Sequence, residues 1–159
     1  MTSLCCDVLK ALQGKSLVTA ESCTGGWIGK ALTSIPGSSN VYKGGIICYT
    51  NFVKEKILGV KRDTLDQFGA VSAQTAGELA QGICRLLDAD VGVSVTGLAG
   101  PGGDDFGNEV GTVFIGCKTD HTLVVNEYHF IGDRDRVRSQ AVEEALKLIL
   151  NCIKKEPTV

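Results

Sequence analysis

The fold of this chain is decided by the segment Ser16-Leu-Val-Thr-Ala-Glu-Ser-Cys-Thr-Gly-Gly26. Its first half, Ser16–Ala20, predicts a short β-strand, and a helix of about ten residues is predicted from Gly25 to Ser34. A strand that runs straight into a helix is typical of open α/β sheets, which bind ligands at the ends of their strands. The segment therefore predicts both an α/β fold and the place of a ligand site.

The rest of the chain continues this alternation of helices and strands. Further helices are predicted over residues 3–13, from an Asn51 cap to Leu58, over Arg62–Phe68, from a Ser72 cap through Leu87, and from Gly132–Asp133 to about Lys154. Further strands are predicted over Val41–Thr50, Val91–Val95, Val110–Lys118 and Leu123–Phe130, the last two forming a hairpin that turns at Thr119–His121. The order predicts a mixed, mostly parallel sheet with helices on both faces, in a single domain that spans residues 1–159.

The composition favours an ordinary globular protein over a binder of nucleic acid. The 159 residues are 43% apolar and 21% charged, and their net charge is −2. The one basic cluster, Arg134, Arg136 and Arg138, is interleaved with Asp133 and Asp135. Because nucleic-acid binders concentrate lysine and arginine on one face, we expect no nucleic-acid partner.

The N-terminus and the cysteines indicate a cytoplasmic protein. The first residues, MTSLCCDVLKAL, have no positively charged start and no long apolar run, and no segment approaches the roughly 18 apolar residues of a membrane span. The seven cysteines form no Cys-x-x-Cys pair and there are only two histidines, which disfavours a zinc site or a disulfide framework. We expect no signal peptide, no membrane contact and no metal, and most cysteines to be small buried hydrophobes.

The turn after the first strand offers a nucleophile beside backbone donors. The amides of Thr24, Gly25 and Gly26 are predicted to be unpaired helix-start donors, which suit an anion or an oxyanion. Ser22 would then sit where a nucleophile could meet those donors. The plainer interpretation is that Ser22 and Thr24 only cap the helix. Cys23 is a rival nucleophile, but neither histidine is an obvious partner to lower its pKa.

A tyrosine and a lysine follow the next predicted strand. Tyr49 closes that strand and Lys54 lies in the first turn of the next helix, so both side chains could converge on one pocket. Burial destabilises the charged form of a lysine, and a desolvated Lys54 could accept the proton of Ser22 while Tyr49 relays it or donates to the oxyanion. The alternative is a surface lysine and a strand-end tyrosine.

The last predicted helix carries an arginine on its apolar side. Arg138 shares a helical stripe with Val142, Ala145 and Ile149, so a buried anionic partner is expected for it. A ligand phosphate would suit its guanidinium fork. A pair with Asp135, three residues earlier, is an equal alternative.

Two glycine-containing loops are weaker candidates. Thr96-Gly-Leu-Ala-Gly-Pro-Gly-Gly103 follows a predicted buried strand and could lay its backbone against a ligand, although it lacks the Gly-Lys-Ser/Thr of a phosphate-binding P-loop. Asp104 and Asp105 after it fit a solvated loop tip better than a metal site. Gly37-Ser-Ser39 offers two hydroxyls that could bind phosphate, or is merely a polar loop.

Seven motifs occur together and in order: TAESCTGG, PGSS, GGIICYTN with its following lysine, GAVS, TGLAGPGG, VGTV and GDRDRVR. This series resembles the CinA C-terminal domain family, the nicotinamide-nucleotide amidohydrolases, from about Leu17 to the final helix. The resemblance implies deamidation of nicotinamide mononucleotide to nicotinic acid mononucleotide and ammonia. It also implies a three-layer α/β/α sandwich, usually dimeric, that uses no metal or other cofactor.

The resemblance also assigns roles to residues by position. Ser22 matches the family's nucleophile, Lys54 its base and Tyr49 its assisting tyrosine, whereas Ser39 and Arg138 match positions that help to hold the substrate. The pocket walls match Thr24, Gly25, Gly26, Thr96, Gly97, Ala99 and Gly100. Two departures from the family pattern are expected: we expect no molybdopterin-binding-like N-terminal domain such as longer members have, and Asn108–Glu109 stands where a lysine–proline pair is frequent.

Two other functions stay open at this point. The same centre could cleave another small amide or ester. The domain could also be a non-catalytic nucleotide-binding or regulatory module, since one fold hosts many functions. A pure binder, however, has no need of Ser22, Tyr49 and Lys54 together.

Overall fold

A computed structural model describes residues 1–155 of the chain and contains one five-stranded sheet. Its strands are β1 (Leu17–Glu21), β2 (Tyr42–Ile47), β3 (Val91–Gly97), β4 (Thr112–Lys118) and β5 (Leu123–His129). In the order β2-β1-β3-β4-β5, β1 pairs in parallel with both neighbours, and the β3–β4 and β4–β5 pairs are antiparallel. Four of the five strands therefore point the same way and β4 alone is reversed, which confirms the mixed sheet.

Helices cover both faces of the sheet and form the two outer layers. Six α-helices are described: α1 (Thr2–Ala11), α2 (Trp27–Thr33), α3 (Asn51–Lys56), α4 (Arg62–Phe68), α5 (Ala73–Leu87) and α6 (Arg134–Lys154). One face packs against α1, α2 and α6, and the other packs against α5 with α3 and α4 beside it. The predicted three-layer α/β/α architecture is thereby confirmed.

Strand β1 shows why the central strands are apolar on both sides. All five of its residues are buried. Leu17 joins the core under α1 and α6, whereas Val18 and Ala20 join the core under α5. Successive side chains of a strand point to opposite faces, so a strand covered on both faces reads as a continuous buried run.

Two predicted helix caps are confirmed and two helix starts are corrected. The Ser72 side chain accepts from the amide of Thr75, and Asp133 accepts from that of Arg136. Helix α2 begins at Trp27 rather than at the predicted Gly25, because Gly25 and Gly26 have φ of 60° and 93° and cannot continue a right-handed helix. The cap of α3 is Thr50 instead of Asn51, and its hydroxyl accepts from the amide of Val53.

The glycine-rich loop starts later than its sequence suggests. Thr96 and Gly97 were expected in the loop, yet they pair with Phe114 and Val113 and extend β3 by two residues. A Cβ on Gly97 would stand 2.6 Å from the Val113 side chain, so this pairing needs a glycine. The irregular segment between β3 and β4 therefore begins only after the sheet has ended.

The environments of the cysteines and the lengths of the helices bear on two further expectations. Five of the seven cysteines are buried and all seven are unbridged, which confirms the expectation of small buried hydrophobes. Among residues 1–155, no helix has the length and hydropathy that crossing a membrane requires.

Candidate active site

Strands β1, β2 and β3 all finish at the same end of the sheet, and a cavity lies at that end. Strands β1, β2 and β3 are parallel, and Glu21 is in register with both Ile47 and Val95 near their C-terminal ends. The residues that follow these strands therefore meet at one place, as is usual for ligand sites in open α/β sheets. They line a cavity of about 240 Å³, together with the starts of α3 and α6. Its lining includes Ser22, Cys23, Tyr49, Lys54, Arg134 and the segment 96–100.

The structure brings Ser22 and Lys54 together at the bottom of this cavity. Lys54 is 1% exposed and Ser22 8% exposed. The Lys54 amine lies 3.0 Å from Ser22 Oγ and also donates a hydrogen bond to the carbonyl oxygen of Cys48, at the end of β2. Helix α3 starts just after that strand, so its first turn points Lys54 back under the turn that carries Ser22.

The environment of Lys54 favours an uncharged amine. Burial lowers the pKa of Lys54 below its ordinary value of 10.5. Within residues 1–155, Lys54 forms no salt bridge with a carboxylate that would hold it charged. The alternative that Lys54 is a surface lysine is wrong.

The carboxylate nearest to Ser22 in sequence is turned away from Lys54. Glu21 is 2% exposed and accepts hydrogen bonds from the hydroxyl of Thr24 and from three amides at the start of α2. These amides belong to Gly26, Ile28 and Gly29, at 2.9–3.1 Å. A carboxylate is stabilised at a helix N-terminus, and Glu21 supplies the capping that no side chain within the turn provides.

The expectation of free helix-start amides at Gly25 and Gly26 is therefore wrong. Gly25 donates to the carbonyl of Ser22 and Gly26 donates to Glu21. The sequence did not reveal this because Glu21 lies in the preceding strand, on the face that α2 covers. An oxyanion at Ser22 needs other donors.

Cys23 borders the cavity but is not equipped as a nucleophile. It is buried, and burial raises the pKa of its thiol to about 12. Its carbonyl oxygen accepts a hydrogen bond from Arg138 Nε at 2.9 Å. A thiol that stays protonated attacks poorly, so Ser22 is the stronger candidate.

Arg138 braces the turn that carries Ser22. Besides Cys23, its guanidinium reaches the carbonyl of Thr24 at 3.2 Å and the carboxylate of Asp135 at 3.5 Å. It also lies over the ring of Trp27, 5.5 Å from the centroid. The predicted pair with Asp135 is present, and the other two nitrogens of the guanidinium donate to the carbonyl oxygens of Cys23 and Thr24.

Tyr49 lies at the rim of the cavity, and its partner is not predictable from the sequence pattern. Its side chain is 57% exposed, and its hydroxyl accepts a hydrogen bond from Arg134 at 2.9 Å. The same guanidinium donates to the carbonyl of Gly100 at 2.7 Å. In the sequence, Arg134 is one member of a mixed-charge cluster, and only the fold shows that α6 starts at the cavity. Asn51 also lines the cavity and was likewise not predicted.

The glycine-rich segment after β3 forms the opposite wall. Thr96, Gly97, Ala99 and Gly100 all line the cavity. The Thr96 hydroxyl donates to the carbonyl of Ala70 at 2.7 Å and so ties this wall to the loop before α5.

Asn108 fixes the distal part of the same loop. Its side-chain amide donates to the carbonyl of Val71 and to the carboxylate of Asp104. Asp104 also accepts from the amides of Phe106 and Asn108, so its carboxylate organises its own loop. Among residues 1–155, no group of three or more histidine, cysteine or acidic residues is arranged to hold a metal.

Five predicted substrate-binding residues lie outside the cavity. Thr24, Gly25, Gly26 and Arg138 line a neighbouring groove that also contains Trp27 and Lys30. Ser39 is exposed on the short 3-10 helix Ser38–Asn40, which precedes β2. The start of β2 pairs with the start of β1, and Ser22 follows the C-terminal end of β1. Ser39, just before β2, therefore lies toward the opposite end of these strands from Ser22.

Comparisons with known proteins give one consistent result. The profile of the CinA C-terminal domain matches residues 2–153. A CinA-like protein of Leptospira borgpetersenii serovar Hardjo-bovis (strain L550) is 48% identical over 139 residues, which cover 86% of this chain and 33% of that protein. The chain spans about a third of the length of the curated relatives it matches.

Solved structures agree over nearly the whole chain. The competence/damage inducible protein CihA from Agrobacterium tumefaciens is 38% identical with a TM-score of 0.92, covering 97% of this chain and 95% of that one. A competence-damaged protein (CinA) superfamily protein from Escherichia coli is 34% identical with a TM-score of 0.93, covering 95% of this chain and 89% of that one. The chain therefore belongs to the CinA C-terminal domain family.

Proposed function

We propose that the chain is an amidase that uses Ser22 as nucleophile and Lys54 as base to deamidate nicotinamide mononucleotide. The observation that carries this proposal is the distance of 3.0 Å between the buried Lys54 amine and Ser22 Oγ. A general base must lie within about 2.6–3.2 Å of the group whose proton it takes. A lysine placed here only for structure would bury an amine at considerable cost.

In the first step, Ser22 Oγ attacks the carboxamide carbon and its proton passes to Lys54 Nζ. The carbonyl of Cys48 accepts one N–H of the amine, which leaves the lone pair of neutral Lys54 to face the hydroxyl. The new carbon–oxygen bond takes its electrons from Ser22, and the electrons of the carbonyl move to its oxygen.

The oxyanion requires donors other than the amides of Gly25 and Gly26. We assign the amide of Cys23, because the residue after the nucleophile supplies this donor in serine hydrolases with a strand-to-helix nucleophile turn. The Tyr49 hydroxyl at the rim is the second donor. Losing one such donor typically lowers the rate by about 10²–10³-fold.

Collapse of the oxyanion expels the amide nitrogen, which takes the proton from Lys54 and leaves as ammonia. The acyl group remains on Ser22. A water molecule then attacks the acyl carbon while Lys54 accepts its proton, and return of that proton to Ser22 releases the carboxylic acid. The net reaction consumes one water per amide and needs no metal or redox partner.

The choice of nicotinamide mononucleotide rests on the family resemblance, and the size of the cavity limits which part of that ligand it can enclose. At about 240 Å³ the cavity is smaller than the roughly 300–1,000 Å³ of typical small-molecule sites. The carboxamide and its ring would occupy it, and the ribose and phosphate would extend across the rim near Tyr49 and Arg134. The same small volume favours a second candidate, hydrolysis of a compact amide or ester without a nucleotide.

Release of ammonia by the purified chain tests the proposal. The substrates are nicotinamide mononucleotide, nicotinamide riboside and nicotinamide, with Ser22→Ala and Lys54→Met as variants. Nucleophile and base act as a unit, so each change lowers turnover by more than about 10³-fold. Lys56→Met is the matched control, since Lys56 is exposed on the same helix.

Each possible result of this assay supports or rejects one of the candidate functions. Turnover near the wild-type level in folded Ser22→Ala or Lys54→Met would reject the mechanism. Activity on nicotinamide alone, equal to that on the mononucleotide, would favour the second candidate. Binding of the mononucleotide without ammonia release would favour a non-catalytic module.

A role for Ser39 in this reaction needs a second copy of the chain. Ser39 lies toward the end of the strands that is opposite the cavity, so it does not reach the cavity of its own chain. We therefore propose a homodimer in which Ser39 contacts the substrate bound in the partner's cavity. Mixing Ser22→Ala with Ser39→Ala subunits tests this, because one competent site would form in each mixed dimer. Recovery of activity supports the shared site, and no recovery in mixed dimers would reject it.

A further inference from the structure

Arg134 joins three distant parts of the chain at the rim of the cavity. It is the first residue of α6 and lines the cavity that contains Ser22. Its guanidinium donates to the hydroxyl of Tyr49 at 2.9 Å and to the carbonyl of Gly100 at 2.7 Å. These partners lie 85 and 34 residues away in sequence, so one side chain connects the end of the β2 segment, the glycine-rich wall and the last helix.

The chemistry of this contact fixes the role of the tyrosine hydroxyl. An arginine side chain carries five N–H donors, has no acceptor and stays protonated in proteins. In the contact with Arg134, the Tyr49 oxygen is therefore the acceptor. A phenol that accepts through its oxygen keeps its own hydrogen for another partner, and within the cavity that partner is a substrate.

We infer that Arg134 is a positioning residue that holds Tyr49 as a hydrogen-bond donor toward the reacting amide. The inference rests on the proposed function and deepens it. The contact with Gly100 fixes the guanidinium itself, so Tyr49 is held although its side chain is largely exposed. Tyr49 thus donates to the oxyanion and does not compete with Lys54 for the serine proton.

The same geometry argues against Arg134 as a simple anchor for the substrate phosphate. Its NH1 and NH2 groups each already donate to an acceptor of the protein. These contacts use two of its five N–H donors and fix the plane of the guanidinium, so a phosphate could meet only the remaining donors, in an orientation already set by the protein. A positioning role uses both contacts as they stand.

A double-mutant cycle on the full chain tests the inference, with ammonia release from nicotinamide mononucleotide as the readout. A positioned proton donor contributes about 10²–10⁴-fold to the rate, so we expect Tyr49→Phe to lower kcat by about 100-fold and Arg134→Met by about 10- to 100-fold. Neither change should alter KM by more than about 3-fold, because an interaction made only in the transition state affects kcat. With Tyr49→Phe already in place, Arg134→Met should add less than about 2-fold, since coupled residues are not additive.

Two further variants separate positioning from general damage to the fold. Arg134→Lys keeps one charged donor for Tyr49 and should recover part of the lost kcat, although a lysine cannot make the planar fork. Arg136→Met is the matched control on the same helix, because Arg136 does not line the Ser22 cavity. It should behave as the wild type.

The outcomes distinguish this inference from the proposed function. Ser22-dependent hydrolysis together with multiplicative losses from Tyr49→Phe and Arg134→Met would overturn the inference alone. A rise in KM for the mononucleotide but not for the riboside in Arg134→Met, with kcat unchanged, would overturn it in favour of a phosphate ligand. Absence of Ser22-dependent hydrolysis of any amide would overturn the proposed function and this inference with it.

Discussion

The Nζ atom of Lys54 donates a hydrogen bond to the carbonyl oxygen of Cys48 across 2.5 Å. The same atom lies 3.0 Å from Ser22 Oγ. A neutral amine satisfies both neighbours, because it can donate to the carbonyl and accept from the hydroxyl. A charged ammonium can only donate, and in that state Lys54 cannot take a proton from Ser22.

The rate of the proposed reaction should therefore rise with pH. Burial lowers the pKa of Lys54 below 10.5, and the fraction of neutral amine grows as the pH passes through that lowered value. We expect kcat/KM to increase as the pH passes through that lowered pKa and to level off before the pKa of a free lysine. Lys54→Arg should be inactive at every pH, since a guanidinium with a pKa above about 12 does not release its proton. A flat profile for the wild type would contradict the role of Lys54 as base.

The stability of the fold should also rise with pH, because the pKa of Lys54 is lowered by folding. The pKa of Lys54 is lower in the folded than in the unfolded chain, so between these two values the unfolded state binds more protons and stability rises with pH. The free-energy cost of burying a charged Lys54 is greatest below its pKa in the folded chain and disappears above its pKa in the unfolded chain. Lys54→Met removes the titrating group, and its free energy of unfolding relative to the wild type should fall as pH rises toward 10.5. Urea unfolding at several pH values measures this difference, and a constant difference would contradict it.

Ser22 and Cys23 are neighbours with opposite predicted roles. The thiol of Cys23, with its pKa raised to about 12, should react slowly with alkylating reagents at neutral pH. We expect Cys23→Ala to keep turnover within about 10-fold of the wild type, whereas Ser22→Ala loses more than about 10³-fold. Mass spectrometry after brief exposure to substrate checks the assignment, since an acyl group should be found on Ser22. An adduct on Cys23 would reverse it.

The sequence predicts the elements and the place of the site because these depend on local patterns. The caps at Ser72 and Asp133, the strand that becomes β1 and the cluster of polar residues after it all follow from a few neighbouring residues. Ser22 follows β1 and Lys54 follows β2. The two side chains come together because these strands lie side by side and parallel.

The parts that the sequence does not predict depend on which way a side chain points after a strand ends. Glu21 and Ser22 are adjacent, yet the carboxylate of Glu21 caps α2 whereas the hydroxyl of Ser22 faces Lys54. Arg134 reaches Tyr49 only because α6 begins at the same end of the sheet, 85 residues later in the chain. For Arg138, sequence spacing identified Asp135 as a partner but could not show the two main-chain carbonyls.

Arg138 should support all substrates alike. It holds the carbonyls of Cys23 and Thr24, so Arg138→Ala should loosen the turn of Ser22 and lower kcat equally for the mononucleotide and the riboside. We expect the free energy of unfolding to fall by about 1 kcal/mol, below the usual range for charged hydrogen bonds because the side chain is partly exposed. Arg138→Lys should recover little, since it lacks the fork. A loss confined to the phosphorylated substrate would instead make Arg138 a phosphate ligand.

The capping of α2 by Glu21 gives the sharpest prediction for the fold. Its two carboxylate oxygens accept one hydroxyl and three amides in a fully buried place. Glu21→Gln has nearly the same shape, but its amide nitrogen would face N–H groups that also donate. Each buried donor left without an acceptor costs about 1–3 kcal/mol, so we expect the free energy of unfolding to fall by at least that amount.

The exposed carboxylate of Glu127 on β5 provides the control for this change. Glu127→Gln should alter the free energy of unfolding by no more than about 0.5 kcal/mol, as surface substitutions usually do. Because Ser22 follows Glu21 directly, Glu21→Gln should also lower kcat, whereas Glu127→Gln should not. Urea unfolding and ammonia release on the two variants measure both effects. If Glu21→Gln unfolded at the wild-type urea concentration, a neutral amide would cap the helix as well as the carboxylate does, and the charge of Glu21 would have to serve the reaction itself.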